Sequence, residues 1–109
     1  MFTSTKKILQ KAHRNNYAVA HFNINNMEIM QGVVNAAVNL KAPIILATSE
    51  GGIKYAGMDY LYCLASIASK EKVPIAFHLD HGKDLSIIKK AINIGYSSVM
   101  YDGSHLPFE

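Results

Sequence analysis

Four mainly apolar runs recur at a spacing of roughly 25–30 residues, the length of one strand-plus-helix unit. They are Tyr17–Phe22, Pro43–Ala47, Val73–Leu79 and Ser97–Tyr101. Each is a continuous run rather than an alternation of apolar and polar residues. That pattern belongs to strands covered on both faces, and so to a parallel sheet. Helical periodicity fills the intervals. Thr3-Ser4-Thr5 opens a first helix with Ile8, Leu9 and Ala12 on one face, and Asn15-Asn16 closes it. Asn26 is an N-cap with Glu28 in the first turn, and Ile29, Met30, Val33, Val34, Ala37 and Val38 follow. After Gly57, the residues Leu61, Leu64, Ala65 and Ala68 form the next inward face. Asp84 caps the last helix, with Leu85, Ile88, Ala91 and Ile92 inward and Gly95 at its C-cap.

The order is therefore α, then βα three times, then β. An open doubly wound sheet and part of a closed (β/α)₈ TIM barrel both fit it. The phosphate fingerprint of the dinucleotide fold, G-x-G-x-x-G after the first strand, is missing. A whole barrel takes about 250 residues. The 109 residues here hold four strands, and Leu106-Pro107-Phe108-Glu109 follow the last one directly. The expectation is one domain, residues 1–109 forming the N-terminal half of a barrel.

A net charge of +3 is spread over scattered Lys and Arg. No basic stripe with interleaved aromatics marks a nucleic-acid surface. The single cysteine, Cys63, excludes a disulfide within the chain and fits a reducing compartment. It lies in a helical pattern and is expected in the core. Lys6, Lys7, Gln10 and Lys11 interrupt any leader-like run at the start, and nothing approaches the ~18 apolar residues of a membrane span. These features predict a cytoplasmic protein.

Polar residues pool at the carboxyl ends of the four runs. They are His21 and Asn23; Thr48, Ser49 and Glu50; His78, Asp80 and His81; and Asp102, Ser104 and His105. Barrel enzymes place their active sites at that face. Asp80-His81 is the sharpest pair, because burying both is costly unless they serve each other or a cation. His81 offers an imidazole nitrogen to Zn²⁺ and Asp80 an adjacent acid/base, although a catalytic zinc takes three protein ligands. By strand period His78 and His81 face opposite ways, so His78 is expected to be structural. His21 suits a hydrogen-bonded core histidine equally well, and Asn23 and Asn25 suit turns. Ser49 with Gly51-Gly52 is either a phosphate-binding loop or an ordinary polar one. No strand contains a lysine, so Schiff-base chemistry lacks its nucleophile, and carbonyl chemistry here would need a metal as electron sink.

Four segments carry a family resemblance. They are Tyr17-Ala18-Val19-Ala20-His21-Phe22-Asn23-Ile24, Ala42-Pro43-Ile44-Ile45 with Ser49-Glu50-Gly51, Pro74-Ile75-Ala76-Phe77-His78-Leu79-Asp80-His81-Gly82, and Ser97-Ser98-Val99-Met100-Tyr101-Asp102-Gly103-Ser104-His105. Together they resemble the amino-terminal part of class II, zinc-dependent fructose-bisphosphate aldolases, including the similar tagatose-bisphosphate aldolases. The resemblance implies a (β/α)₈ barrel that reversibly cleaves a ketose bisphosphate to dihydroxyacetone phosphate and glyceraldehyde 3-phosphate. It implies His81 as a zinc ligand and Asp80 as the acid/base at the C4 oxygen. Asn23 and Ser49 would contact substrate, Ser49 near the distal phosphate, and Asp102 matches a position that helps bind a second cation in some members. The family's other zinc histidines, its glycine-rich phosphate loops and a second proton-transferring carboxylate lie in its second half. This implies an inactive 109-residue chain and a full-length homo-oligomer. Tyr101 and Gly103 depart from the aliphatic residue and the Ala common at those positions. The competing readings are a non-catalytic half-barrel and an unrelated barrel metal hydrolase.

Overall fold

The computed structural model describes residues 1–109. Helix α1 (Thr5–Arg14) leads to β1 (Ala20–Asn23), α2 (Met27–Asn39) and β2 (Ile44–Thr48). Two short helices, α3 (Glu50–Ala56) and α4 (Met58–Ala68), precede β3 (Ile75–Gly82), α5 (Leu85–Ile94) and β4 (Ser98–Tyr101). The four strands form one sheet in the order β1-β2-β3-β4, and every neighbouring pair is parallel.

That order decides between the two architectures. A doubly wound sheet reverses its strand order and carries helices on both faces. Here the order never reverses, and the crossover helices share one face. Met30 and Val34 of α2, Leu61 and Ala65 of α4, and Ile88 and Ala91 of α5 belong to one buried cluster with Ile44, Leu46, Phe77 and Leu79. The opposite face takes the alternate side chains of the same strands. Ile45 and Ala76 pack there against Ile8 of α1, which covers the amino ends of the strands. The chain is thus an α/β fold with the single winding of a partial barrel, and its polar strand ends lie on the concave side beyond α1.

Local chemistry sets the boundaries. The Asn26 side chain accepts the Ile29 amide at 2.8 Å, and that of Asp84 accepts the Ser86 amide at 2.7 Å. Gly95 ends α5 at φ 117°, a left-handed conformation that favours glycine. The polar stretch after β2 differs from expectation. Ser49 accepts the Gly52 amide at 3.0 Å and caps α3, so Glu50-Gly51-Gly52 is the first turn of a helix rather than a loop.

Burial departs from the sequence pattern at several points. β1 starts at Ala20, not Tyr17, and all four of its residues are exposed, because it is the edge of the sheet. Leu9, Ile29, Leu85 and Ile92, expected inward, are exposed on the flanks of their helices. Cys63 is also exposed. The inward face of α4 is fixed by Leu61, Ala65 and Ala68, and at 3.6 residues per turn Cys63 falls on its outer side. No helix is long and apolar enough to cross a membrane.

Candidate active site at the strand ends

The sheet register builds the site. β3 and β4 pair as His78 with Ser98 and Leu79 with Val99, but the next pair is Gly82 with Tyr101. Two residues of β3, Asp80 and His81, therefore oppose the single Met100 of β4, which is a β-bulge. His81 takes up the slack with φ 49°, a left-handed conformation uncommon outside glycine. As a result, these sequence neighbours come together on one side, with His81 Nε2 3.8 Å from Asp80 Oδ1. The pair is not buried together as expected, since the His81 side chain is 60% exposed and that of Asp80 19%.

Asp102, buried just after β4, closes the bulge from the neighbouring strand. Its Oδ2 lies 3.0 Å from His81 Nδ1, and its Oδ1 accepts the Ser104 amide at 3.0 Å. Hydrogen bonds from Ser104 and then from His81 hold the Asp102 carboxyl far below the usual carboxylate range. The same contact raises His81 above the ordinary histidine value, with help from Asp80. With Nδ1 turned to a carboxylate, His81 presents Nε2 outward. A carboxylate–imidazole pair of this kind commonly orients a metal-ligating histidine. By its chemistry an imidazole nitrogen held in this way fits a metal ion such as zinc.

Glu50 anchors the same loop from α3. Its Oε1 accepts the amides of Lys83 at 2.8 Å and Asp84 at 2.7 Å, immediately after His81-Gly82. Sequence reading placed Glu50 only in the polar pool. Neither its bond to the following loop nor the bulge leaves a mark in sequence periodicity.

His78 lies two residues before Asp80 and shares its face. Its Nδ1 is 2.7 Å from Ser98 Oγ, which is 2.7 Å from Thr5 Oγ1 of α1. Burial first, then the nearby His21, lowers its pKa, while Asp80 partly offsets both. His21 is exposed rather than a core residue, and its ring centroid lies 5.7 Å from that of His78. Asn23 is exposed and level with Ala47. Ser104 and His105 are exposed in the segment after β4. The structure thus joins His21, His78, Asp80, His81 and Asp102 along one strip, while Ser49 caps α3 at the next strand end.

Residues 3–109 match the family described as fructose-bisphosphate aldolase class-II. A fructose-bisphosphate aldolase of Giardia intestinalis is 46% identical over 106 residues, covering 95% of this chain and 33% of that protein. The D-tagatose-1,6-bisphosphate aldolase subunit GatY of Klebsiella oxytoca is 47% identical over 107 residues, covering 97% and 38%. Among solved structures, the YdjI aldolase of Escherichia coli K12 superposes with a TM-score of 0.90 at 34% identity, covering 99% of this chain and 42% of that one. The chain spans little more than a third of the length of these curated relatives.

Proposed function

The chain belongs to the class II fructose-bisphosphate aldolase family, and from that premise we propose that it forms the N-terminal half of a zinc-dependent lyase. Its reaction is the reversible cleavage of fructose 1,6-bisphosphate to dihydroxyacetone phosphate and glyceraldehyde 3-phosphate, a step of glycolysis and gluconeogenesis. The observation that carries this reading is the bulge that sets Asp80 Oδ1 3.8 Å from His81 Nε2 while Asp102 fixes the other ring nitrogen.

His81 holds the zinc through Nε2, with its other ligands supplied by the rest of the barrel. A bound zinc supplies Lewis-acid polarisation of a ketone carbonyl. Asp80 accepts the proton of the C4 hydroxyl as the C3–C4 bond breaks. The C4 oxygen becomes the aldehyde oxygen of one product, and the bond pair passes to the half that carries the ketone, which becomes dihydroxyacetone phosphate by taking a proton at C3 from a group in the rest of the barrel. In the condensation direction Asp80 returns that proton. Asn23 binds substrate from β1, and Ser49 donates its hydroxyl proton to the distal phosphate while its oxygen caps α3. Asp102 positions His81. Each of its oxygens makes one hydrogen bond, to His81 and to Ser104, and keeps a lone pair with which it would help bind a second cation.

The class II family to which the chain belongs supports metal rather than Schiff-base chemistry. Tagatose bisphosphate is the alternative substrate, favoured by the similarity to GatY. A cytoplasmic, homo-oligomeric full-length enzyme and an inactive 109-residue segment complete the proposal. The test is made in the full-length enzyme: Asp80→Ala keeps zinc and loses cleavage, whereas His81→Ala loses both. Equal zinc content in the two variants overturns the roles.

A further inference from the structure

A second group of donors converges beside the Asp80–His81 pair without including His81. The ligating atoms of His21, His78 and Asp80 all lie within 4.8 Å of one another. The strands explain why residues of β1 and β3 meet across β2. Strands in a sheet are about 4.8 Å apart, so the two are roughly 10 Å apart at the backbone. On the strand between them His21 is level with Ile45 and His78 with Ala47, so the two histidines lie diagonally on one face, over a residue with only a methyl side chain. The concave side brings the side chains inward, and the His21 and His78 rings meet edge to face at 69°. Ser98 engages His78 Nδ1 at 2.7 Å, which leaves Nε2 to point elsewhere. Asp80 has no Lys or Arg partner; its one ion-pair contact is the 3.8 Å approach of His81.

We propose that His21, His78 and Asp80 form a second, transition-metal site whose occupation withdraws Asp80 from proton transfer. Two imidazoles and one carboxylate select ions such as Zn²⁺, Co²⁺, Ni²⁺ or Cu²⁺ over Mg²⁺ and Ca²⁺. Tetrahedral zinc wants donors about 3.3 Å apart. Modest side-chain rotation closes the group to that spacing, and His21 is exposed and free to make it. Asp80 then stands between two sites. Directed toward His81 it serves the chemistry proposed above; drawn to His21 and His78 its charge is shared with the metal, which makes it a weaker base and turns it from substrate. Excess metal becomes an inhibitor that acts through a residue of β1. The inhibitory consequence rests on the aldolase reading, whereas the site itself does not.

The experiment is a Co²⁺ titration of the full-length enzyme already loaded with zinc, followed by visible absorption and calorimetry. His21→Gln is the main variant because the residue is exposed and its removal leaves the core intact. It is expected to weaken Co²⁺ binding by about tenfold or more, and Asp80→Asn to do the same. His13→Gln, which changes an exposed histidine of α1, is expected to change nothing. Equal affinity in wild type and His21→Gln overturns the site, as does equal weakening by His13→Gln, which would mean chelation by surface histidines in general. Activity is not read, so failure here is distinct from failure of the cleavage and zinc-content test.

Discussion

His81 Nδ1 lies 3.0 Å from Asp102 Oδ2, a contact made across 21 positions of sequence by the register of β3 with β4. Removing the carboxylate but keeping the shape, as in Asp102→Asn, frees the imidazole to rotate. Outer partners of this kind are worth about 10–100-fold in metal affinity. The full-length Asp102→Asn enzyme is expected to lose zinc to a chelator that wild type resists by that factor. Unchanged zinc affinity would separate Asp102 from the function of His81.

Glu50 binds two consecutive amides of the loop that carries His81. Glu50→Ala leaves the Lys83 and Asp84 amides without that acceptor. Their hydrogen exchange is expected to accelerate about tenfold, the equivalent of one net hydrogen bond. Glu50→Gln keeps a carbonyl oxygen in place and should retain most of the protection. Equal exchange in the Ala and Gln variants would mean that the side chain does not order the loop.

Thr48 is fully buried, and its hydroxyl meets the Tyr96 hydroxyl at 2.8 Å. Tyr96→Phe strands the threonine and should cost about 1–3 kcal/mol, while adding Thr48→Val should restore much of it. Denaturant unfolding of the two single variants and the double measures the coupling.

Burial pushes the Tyr96 phenol up to about 12 from an ordinary value near 10. The native state keeps this proton where the unfolded chain has released it. Its contribution is therefore fully present below pH 10 and is lost as pH rises toward 12. The loss amounts to roughly 2–3 kcal/mol over that interval. Tyr96→Phe is expected to flatten that part of the stability–pH curve. An identical slope in the variant would show that other groups produce it.

Gly82 sits where the bulge meets α5. A methyl group there would come 2.9 Å from Ile88, 3.0 Å from Leu79 and 3.1 Å from the Met100 carbonyl oxygen. The last is backbone of the adjacent strand and cannot swing away. Gly82→Ala is expected to cost about 1–3 kcal/mol in urea unfolding, whereas Gly32→Ala, inside α2 where nothing lies within 4 Å, is expected to gain about 0.5–1 kcal/mol.

The parallel sheet was legible because its central strands must be apolar throughout, and β2 is buried at all five positions. The caps at Asn26, Asp84 and Gly95 were legible because each is a local interaction between near neighbours. Pooling of polar groups at one end of the strands was visible for the same reason. What escaped depends on register or on neighbouring layers. The glycines that start α3 resemble a loop until Ser49 caps them. Leu85 and Ile92 match the helical period but lie beyond the width of the buried stripe, where apolar side chains remain exposed. His21 beside His78 needs two strand pairings and a small Ala47 between them. No single stretch of sequence holds that information.

The extra residue of β3 bears on how such a pair can arise. In a regular strand, substituting Asp and His at adjacent positions sends one side chain to each face, and no choice of side chains brings them together. Here the pairing is written in chain length: one residue more on β3 than on β4 between Leu79 and Gly82. Adding one residue to β4 opposite them would restore a regular ladder and part the two groups, with both of their letters still in the sequence. The pairing therefore depends on a difference in length between the two strands. Composition at these positions can drift one residue at a time, but the spacing changes only by whole residues, each change moving every side chain beyond it to the other side of the sheet.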